Sequence, residues 1–194
     1  ETLVAVLFYF VWTKYGLAVQ TPVYWTVVAG LVCATFIDFE HYIIPDRISL
    51  GGIALGLLLS YFFPAIHSQA DLAMTLSHFQ GLMQSFYGFL AGAGSLWLVA
   101  MIGKLIFRKD AMGLGDVKLL GAIGAFMGWR AVVFAIVVSS FIGSIVGVAL
   151  ILLGNRQWQS KIPYGPYIAF AAILWIYCGA AAWQAYLRWM IPAI

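Results

Sequence analysis

Two aspartates, Asp38 and Asp116, each lie at the edge of an apolar run of sequence. Asp38 ends the run 23–37, and Asp116 precedes the run 117–127. A carboxylate in a membrane helix costs roughly 2.5–3.5 kcal/mol at the helix centre and less near the interface, so such an acid is a candidate for function. If folding brings the two carboxylates together, we expect one to be protonated and one ionised. Such a pair can hydrolyse a peptide bond: the ionised group takes a proton from water, and the protonated group polarises the carbonyl and helps the amine leave.

Three short motifs contain these acids or follow them. The first runs from Asp38 to Asp46 and reads DFEHYIIPD, the second from Gly113 to Asp116 and reads GLGD, and the third from Lys161 to Pro166 and reads KIPYGP. Glycine adopts backbone torsions that other residues cannot, so the two glycines of the second motif allow the loop to bend and turn its aspartate towards a water-filled crevice. A phosphate-binding loop is disfavoured, because no Lys-Ser or Lys-Thr pair follows these glycines.

In this order, the three motifs resemble those of the prepilin peptidase, or type IV leader peptidase, family of GxGD-type intramembrane aspartic proteases. The resemblance covers essentially the whole chain. It implies that Asp38, which opens its motif, and Asp116 are the catalytic pair, with either one acting as the base. It also implies that the glycine loop and the third motif line the active site or bind substrate, through Gly113, Gly115, Pro163, Tyr164, Gly165 and Pro166.

Several residues of these motifs have a second interpretation. Asp46 follows a proline and is predicted to be the N-cap of the next helix, with Ser49 three positions on; alternatively, it replaces Asp38 as the partner of Asp116. Glu40 and His41 are interpreted as solvated loop residues, although His41 is close enough in sequence to tune the pair. We expect no metal site, because the other histidines belong to the opposite side. Pro163 also suits the first turn of a helix, which is compatible with a place in the active site.

The composition predicts an all-α, polytopic transmembrane helical bundle in a lipid bilayer. Of the 194 residues, 64% are hydrophobic and 9% are charged, whereas soluble domains carry about 25% charged residues. Cys33 and Cys178 lie in apolar runs without CxxC spacing, so neither a zinc site nor a disulfide framework is indicated. The net charge of +3 does not suggest a nucleic-acid partner. Seven apolar segments are predicted, at about 2–19, 22–38, 47–63, 81–107, 116–128, 130–153 and 163–187.

The lysines and arginines predict the orientation of this bundle. Seven passes place the three motifs at one end, together with seven of the ten basic residues: Arg47, Lys104, Arg108, Lys109, Lys118, Arg156 and Lys161. The other end holds Lys14, Arg130 and Arg188. Because cytoplasmic loops are enriched in Lys and Arg, the end with the motifs is predicted to face the cytoplasm.

The resemblance implies further features that the residues alone do not. The substrate would be a type IV prepilin or a type II secretion pseudopilin, cleaved at the cytoplasmic face of the bacterial inner membrane. Proteolysis would need no cofactor, whereas methylation of the new N-terminus would use S-adenosylmethionine. The chain begins at Glu1, and we interpret residues 1–194 as one peptidase domain without the N-terminal helix and cytoplasmic segment of the family.

Two other classes of protein remain as alternatives. A small proton- or cation-coupled transporter would use Asp38 and Asp116 as a relay or as ligands. It predicts acids nearer the middle of helices and an internal repeat, and the sequence contains neither. A purely structural membrane subunit leaves the two acids and the glycine loop unexplained.

Overall fold

The computed structural model describes residues 1–70, 76–108, 112–153 and 163–190, and all regular elements in these ranges are helical. The sequence predictions for Lys109, Arg156, Lys161 and Ile162 lie outside the described residues. The all-α prediction is confirmed. The helices are α1 (Thr2–Tyr15), α2 (Gln20–His41), α3 (Asp46–Phe62), a 3₁₀ segment (Pro64–Ala70), α4 (His78–Phe107), α5 (Leu114–Leu152) and α6 (Gly165–Met190).

Each of the seven predicted apolar segments overlaps one of these helices, and α5 contains two of them. The first segment, 2–19, extends past the end of α1 at Tyr15. Gly128 interrupts α5 with a φ of 77° and a ψ of 175°. A Cβ built on Gly124 would lie 2.9 Å from Val132 Cγ2, whereas residues eight apart in a straight helix are about 12 Å apart. The chain therefore turns back at Gly128, and we call the two halves α5a (114–127) and α5b (129–152).

Four of the described helices are long and apolar enough to cross a membrane, namely α2, α4, α5 and α6. The shorter helix α1 is also apolar, and α3 has 17 residues. The chain is thus a multi-pass membrane protein.

Helix α5a lies at the centre of the bundle, between α3 and α4. A Cβ on Gly56 of α3 would lie 2.9 Å from Ala125 Cβ, and a Cβ on Gly88 or Gly92 of α4 would overlap a backbone carbonyl of α5a. Such close approach is what glycines four residues apart permit in membrane helices. The helix is accordingly buried along much of its length, at residues that include Val117, Leu119, Leu120, Ile123 and Phe126.

The 3₁₀ segment closes the end of the bundle where α5 turns. Ile66 is buried, and its carbonyl accepts a hydrogen bond of 3.1 Å from the Tyr24 hydroxyl. His67 Nδ1 lies 3.5 Å from the position of a Cβ on Gly128. The opposite end of α5a, where Asp116 lies in the first turn, is the end at which α2 finishes and α6 begins.

Candidate active site

Asp38 and Asp116 line the same cavity, which has a volume of about 290 Å³. Both residues are buried, with 5% and 9% of their surface exposed. We call this space the dyad cavity. The fold thus brings together the two acids that the sequence singled out. The remaining lining residues come from the loop after α2, the start of α3 and the start of α5: Tyr42, Ile43, Ile44, Asp46, Gly113, Leu114, Gly115 and Lys118.

Asp38 is held by the end of one helix and the start of another. It lies in the last turn of α2, and its carbonyl accepts a hydrogen bond of 3.0 Å from the N–H of Tyr42, where a left-handed φ of 55° ends the helix. Its carboxylate Oδ2 accepts a hydrogen bond of 3.1 Å from the N–H of Gly165, the first residue of α6. The free N–H groups and the dipole at a helix N-terminus favour a negative charge at this place.

Asp116 is held by the glycine loop in front of α5a. Its N–H donates a hydrogen bond of 3.2 Å to the Gly113 carbonyl, and a Cβ on Gly113 would lie 3.4 Å from Asp116 Oδ2. Neither Gly113 nor Gly115 has a positive φ; among the described glycines, only Gly16 and Gly128 do. The prediction that these glycines serve through unusual torsions is therefore wrong.

What Gly115 supplies is space for Ile44. A Cβ on Gly115 would lie 3.1 Å from Ile44 Cβ, and a Cβ on Gly165 would lie 3.1 Å from Ile44 Cδ1. Ile44 is buried, so this one side chain is packed between the glycine loop and the start of α6. The sequence analysis missed Ile44; its only signal was its position directly before Pro45, and nothing in the sequence distinguishes it from the neighbouring Ile43.

Asp46 does not cap α3, so that prediction is also wrong. Pro45 occupies the N-cap position without a side-chain cap, and Asp46 is the first helical residue. Its Oδ1 instead lies 2.6 Å from Nζ of Lys118, on the helix that carries Asp116. The ion pair is partly exposed, with 34% of the Lys118 side chain and 61% of the Asp46 side chain accessible. It joins the start of α3 to the first turns of α5 at the edge of the dyad cavity.

The remaining candidates of the first motif point away from the pair. Glu40 and His41 are exposed to 75% and 65%, with His41 Nδ1 3.9 Å from Glu40 Oε2, and neither lines the dyad cavity. Their interpretation as solvated residues agrees with this exposure. In the described part of the chain, no three His, Cys, Asp or Glu side chains are grouped to hold a metal ion.

The third motif reaches the dyad cavity through its backbone. The Tyr164 hydroxyl hydrogen-bonds to Ser139 Oγ at 2.7 Å and to Ser140 Oγ at 3.3 Å, which anchors it to α5b. Pro166 lies in the first turn of α6 and is buried. None of the described residues Pro163, Tyr164, Gly165 and Pro166 lines the dyad cavity, and Gly165 reaches it through the hydrogen bond from its N–H to Asp38.

The fold and the site define a class of protein: a multi-pass helical membrane protein with two carboxylates in one cavity. Residues 25–148 match the model of the type IV leader peptidase family, and the chain belongs to that family.

The similar proteins agree in their description. The chain is 37% identical over 148 residues to the prepilin leader peptidase/N-methyltransferase of Aeromonas hydrophila, covering 75% of this chain and 46% of the relative. It is 33% identical over 165 residues to that of Pseudomonas putida, covering 84% and 52%. It is 33% identical over 178 residues to that of Pseudomonas aeruginosa, covering 90% and 57%. The chain spans about half the length of the curated relatives it matches. No solved structure matches the chain.

Proposed function

We propose that the chain is the aspartic endopeptidase part of a prepilin peptidase, with Asp38 and Asp116 as the catalytic pair. The observation that carries the proposal is the presence of both buried carboxylates in one cavity, at the ends of their helices rather than in the middle. One carboxylate takes a proton from a water molecule while the other, protonated, polarises the scissile carbonyl. The titration belongs to the pair, so either residue can act as base.

The substrate that follows from the family is the precursor of a type IV pilin or a type II secretion pseudopilin. The relatives named above are described as prepilin leader peptidases. The proposed cleavage face is cytoplasmic, in the bacterial inner membrane, because the sequence predicts seven of the ten lysines and arginines at the end with the motifs. Three of those seven, Lys109, Arg156 and Lys161, lie outside the described residues.

Methylation of the new N-terminus is a separate matter. The relatives' names also include N-methyltransferase, an activity that takes its methyl group from S-adenosylmethionine. A cavity of about 580 Å³ lies beside Gly113, with Trp97 and Lys104 in its wall, but its lining contains no acidic side chain to bind ribose hydroxyls or an amino group. The described lining of this cavity therefore does not fit S-adenosylmethionine, and we assign no methyl-transfer step to it.

The test is cleavage of a purified precursor by the purified chain in lipid vesicles, followed by mass spectrometry of the precursor. We expect loss of the leader with the wild-type chain, and an intact precursor with Asp38→Asn or Asp116→Asn. A wild-type chain that leaves pilin and pseudopilin precursors intact would count against the proposal. Proton or cation flux that depends on both acids would instead favour a transporter.

A further inference from the structure

Tyr42 adopts a backbone conformation that is unusual for its residue type. It ends α2 with a φ of 55° and a ψ of 31°, in the left-handed region. Among the described residues other than glycine, only Tyr42 and Arg108 have a positive φ. Helices commonly end in this conformation on glycine or asparagine, whereas a bulky side chain there is an outlier of the kind found at functional sites. The chain thus has a tyrosine where glycine or asparagine would suit the backbone better.

Tyr42 lies at the opening of the dyad cavity. It lines the cavity together with Asp38 and Asp116, but it is 49% exposed, whereas the two acids are buried. Two further lining residues are exposed as well, Ile43 at 65% and Leu114 of the glycine loop at 66%. The dyad cavity therefore has its acids inside and large apolar side chains at its opening. Tyr42 is the one aromatic residue among the described residues that line it.

The end of α2 gives Tyr42 a fixed position relative to the first acid. The N–H of Tyr42 donates its hydrogen bond of 3.0 Å to the carbonyl of Asp38, one helical turn earlier. The carboxylate of Asp38 is itself held by the N–H of Gly165. Two residues after Tyr42, the buried Ile44 packs against the glycine loop and the start of α6. The backbone on both sides of Tyr42 is therefore anchored to the groups that surround the pair.

We infer that Tyr42 is a substrate-binding residue whose side chain packs against the precursor at the bond to be cut. The inference rests on the proposed function. A polypeptide that reaches Asp38 and Asp116 has to pass the opening of the dyad cavity, where Tyr42 lies. An aromatic side chain offers a large, rigid contact surface at a low cost in conformational entropy. Contact with the precursor explains why this position has a tyrosine despite its left-handed backbone.

The first test replaces Tyr42 by residues that suit its backbone and by one that keeps its ring. Tyr42→Gly and Tyr42→Asn favour the left-handed conformation, and Tyr42→Phe does not. In lipid vesicles with a purified precursor, we expect the glycine and asparagine variants to raise KM about tenfold. Their kcat is expected to change by less than about threefold, because Tyr42 transfers no proton. Tyr42→Phe is expected to recover most of the loss in KM.

A residue that only ends α2 would give the opposite order of variants, since glycine and asparagine end helices better than tyrosine or phenylalanine. Wild-type KM in Tyr42→Gly, or a KM for Tyr42→Phe as high as that of Tyr42→Gly, overturns the inference. Thermal unfolding in detergent, measured on the same preparations, shows whether each variant is folded. A wild-type chain that does not cleave the precursor refutes the proposed function instead.

Arg108→Gly is the matched control for the backbone. Arg108 ends α4 with a φ of 52°, and its N–H bonds to the Lys104 carbonyl as the N–H of Tyr42 bonds to that of Asp38. Arg108 does not line the dyad cavity. Arg108→Gly therefore makes the same backbone change at another helix end, and we expect it to leave KM as in the wild type. A rise in KM equal to that of Tyr42→Gly would assign the effect to the helix ends and overturn the inference.

Photo-cross-linking tests the same contact without catalysis and with an aromatic side chain still in place. p-Benzoylphenylalanine replaces Tyr42 in one chain and Phe39 in another, both with Asp116→Asn so that the precursor stays uncleaved. Phe39 is 54% exposed on α2 and does not line the dyad cavity. On illumination, we expect the precursor to cross-link to position 42 and not to position 39. Equal cross-linking at both positions overturns the inference, and so do cross-links from position 42 to lipid alone.

Discussion

The N–H of Gly165 donates a hydrogen bond of 3.1 Å to Oδ2 of Asp38, although 127 positions separate the two residues. The first N–H groups of a helix have no partner within it, and the helix dipole favours an anion there. Helix α6 therefore begins against the carboxylate and fixes its direction. The contribution of the third motif to the dyad cavity is thus a backbone donor in a position where only a glycine fits.

Gly165→Ala is expected to lower cleavage by about 10²-fold, because a displacement of about 1 Å in a catalytic group has effects of that size. The added Cβ would lie 2.6 Å from Asp38 Oδ2 and 3.1 Å from Ile44 Cδ1, so either the carboxylate or the start of α6 has to shift. The measurement is kcat/KM on a precursor, with thermal unfolding in detergent on the same preparation. Gly94→Ala, which has open space in front of it, is the control. Wild-type activity in Gly165→Ala would show that the hydrogen bond is incidental.

Asp38→Asn and Asp116→Asn are each expected to lower cleavage by at least about 10²-fold, since an amide keeps the shape of a carboxyl group but cannot cycle a proton. The double variant is expected to be no worse than either single one, because the two groups act as a unit. Glu40→Gln serves as the control, since Glu40 is exposed and outside the dyad cavity. Substantial cleavage by either single variant, in a folded protein, would contradict the assignment of the pair.

The helices and the two acids could be read from the sequence, because both leave local signals. Apolar length marked the segments, and the boundary between the predicted segments 116–128 and 130–153 falls beside Gly128, where α5 turns. A carboxylate is expensive in a membrane, so Asp38 and Asp116 stood out at the edges of apolar runs. Their meeting in one cavity was a conditional prediction, since only the packing of α2 against its neighbours brings those edges together.

The features that the sequence analysis missed all depend on contacts between distant segments. The cap predicted for Asp46 was reasonable from local rules, but its carboxylate bonds to Lys118, 72 positions away. Ile44 gains its role from glycines in the second and third motifs, and a motif search treats each of these separately. The torsions expected of Gly113 and Gly115 were wrong for the same reason. A glycine can be required by the backbone conformation of a turn or by the close packing of a neighbouring residue, and the sequence does not distinguish these two causes.

Asp46→Asn and Lys118→Met are each expected to lower cleavage by about five- to tenfold, which corresponds to roughly 1 kcal/mol, the upper range for a partly exposed ion pair. The ion pair joins the start of α3 to the helix of Asp116 at the edge of the dyad cavity. Its loss is therefore expected to let the position of Asp116 vary while the protein stays folded. Asp46→Lys combined with Lys118→Asp is expected to recover part of the activity, as measured by a double-mutant cycle. Additive losses in the swapped protein would argue against a role for the pair.

Protonation of the buried His67 imidazole is expected to make the stability of the protein depend on pH. Burial lowers the pKa of its imidazole to about 4. Nε2 lies 2.8 Å from Ser60 Oγ, whose own proton goes to the Gly56 carbonyl, so the neutral ring carries its hydrogen on Nε2. An unfolded histidine has a pKa of about 6.5, so its contribution to stability is complete above that pH and is lost as the pH falls towards 4.

We therefore expect the unfolding temperature of the wild-type chain in detergent to fall between pH 7 and pH 5. His67→Gln is expected to flatten this dependence, because the amide does not titrate in that range. His41→Gln changes an exposed imidazole and is expected to leave the curve as it is. Parallel curves for wild type and His67→Gln would show that other groups govern the acid side.

Gly115→Val is expected to reduce cleavage by about 10²-fold while the protein still folds. A Cβ at this position would lie 3.1 Å from Ile44 Cβ and 3.4 Å from Ile44 N, and valine adds two further methyl groups on a stiff side chain. The isoleucine must then move, and it packs against Gly165, whose N–H holds Asp38.

If Gly115→Val acts through Ile44, shortening the isoleucine relieves the effect: Gly115→Val with Ile44→Ala is expected to cleave faster than Gly115→Val alone. It would do so despite a loss of stability of about 2–5 kcal/mol from the buried Ile44→Ala change. Cleavage rates and thermal unfolding of the two single variants and the double variant decide between these effects. A double variant that is no faster than Gly115→Val would mean that valine acts directly on water or substrate beside Asp116, and not through Ile44.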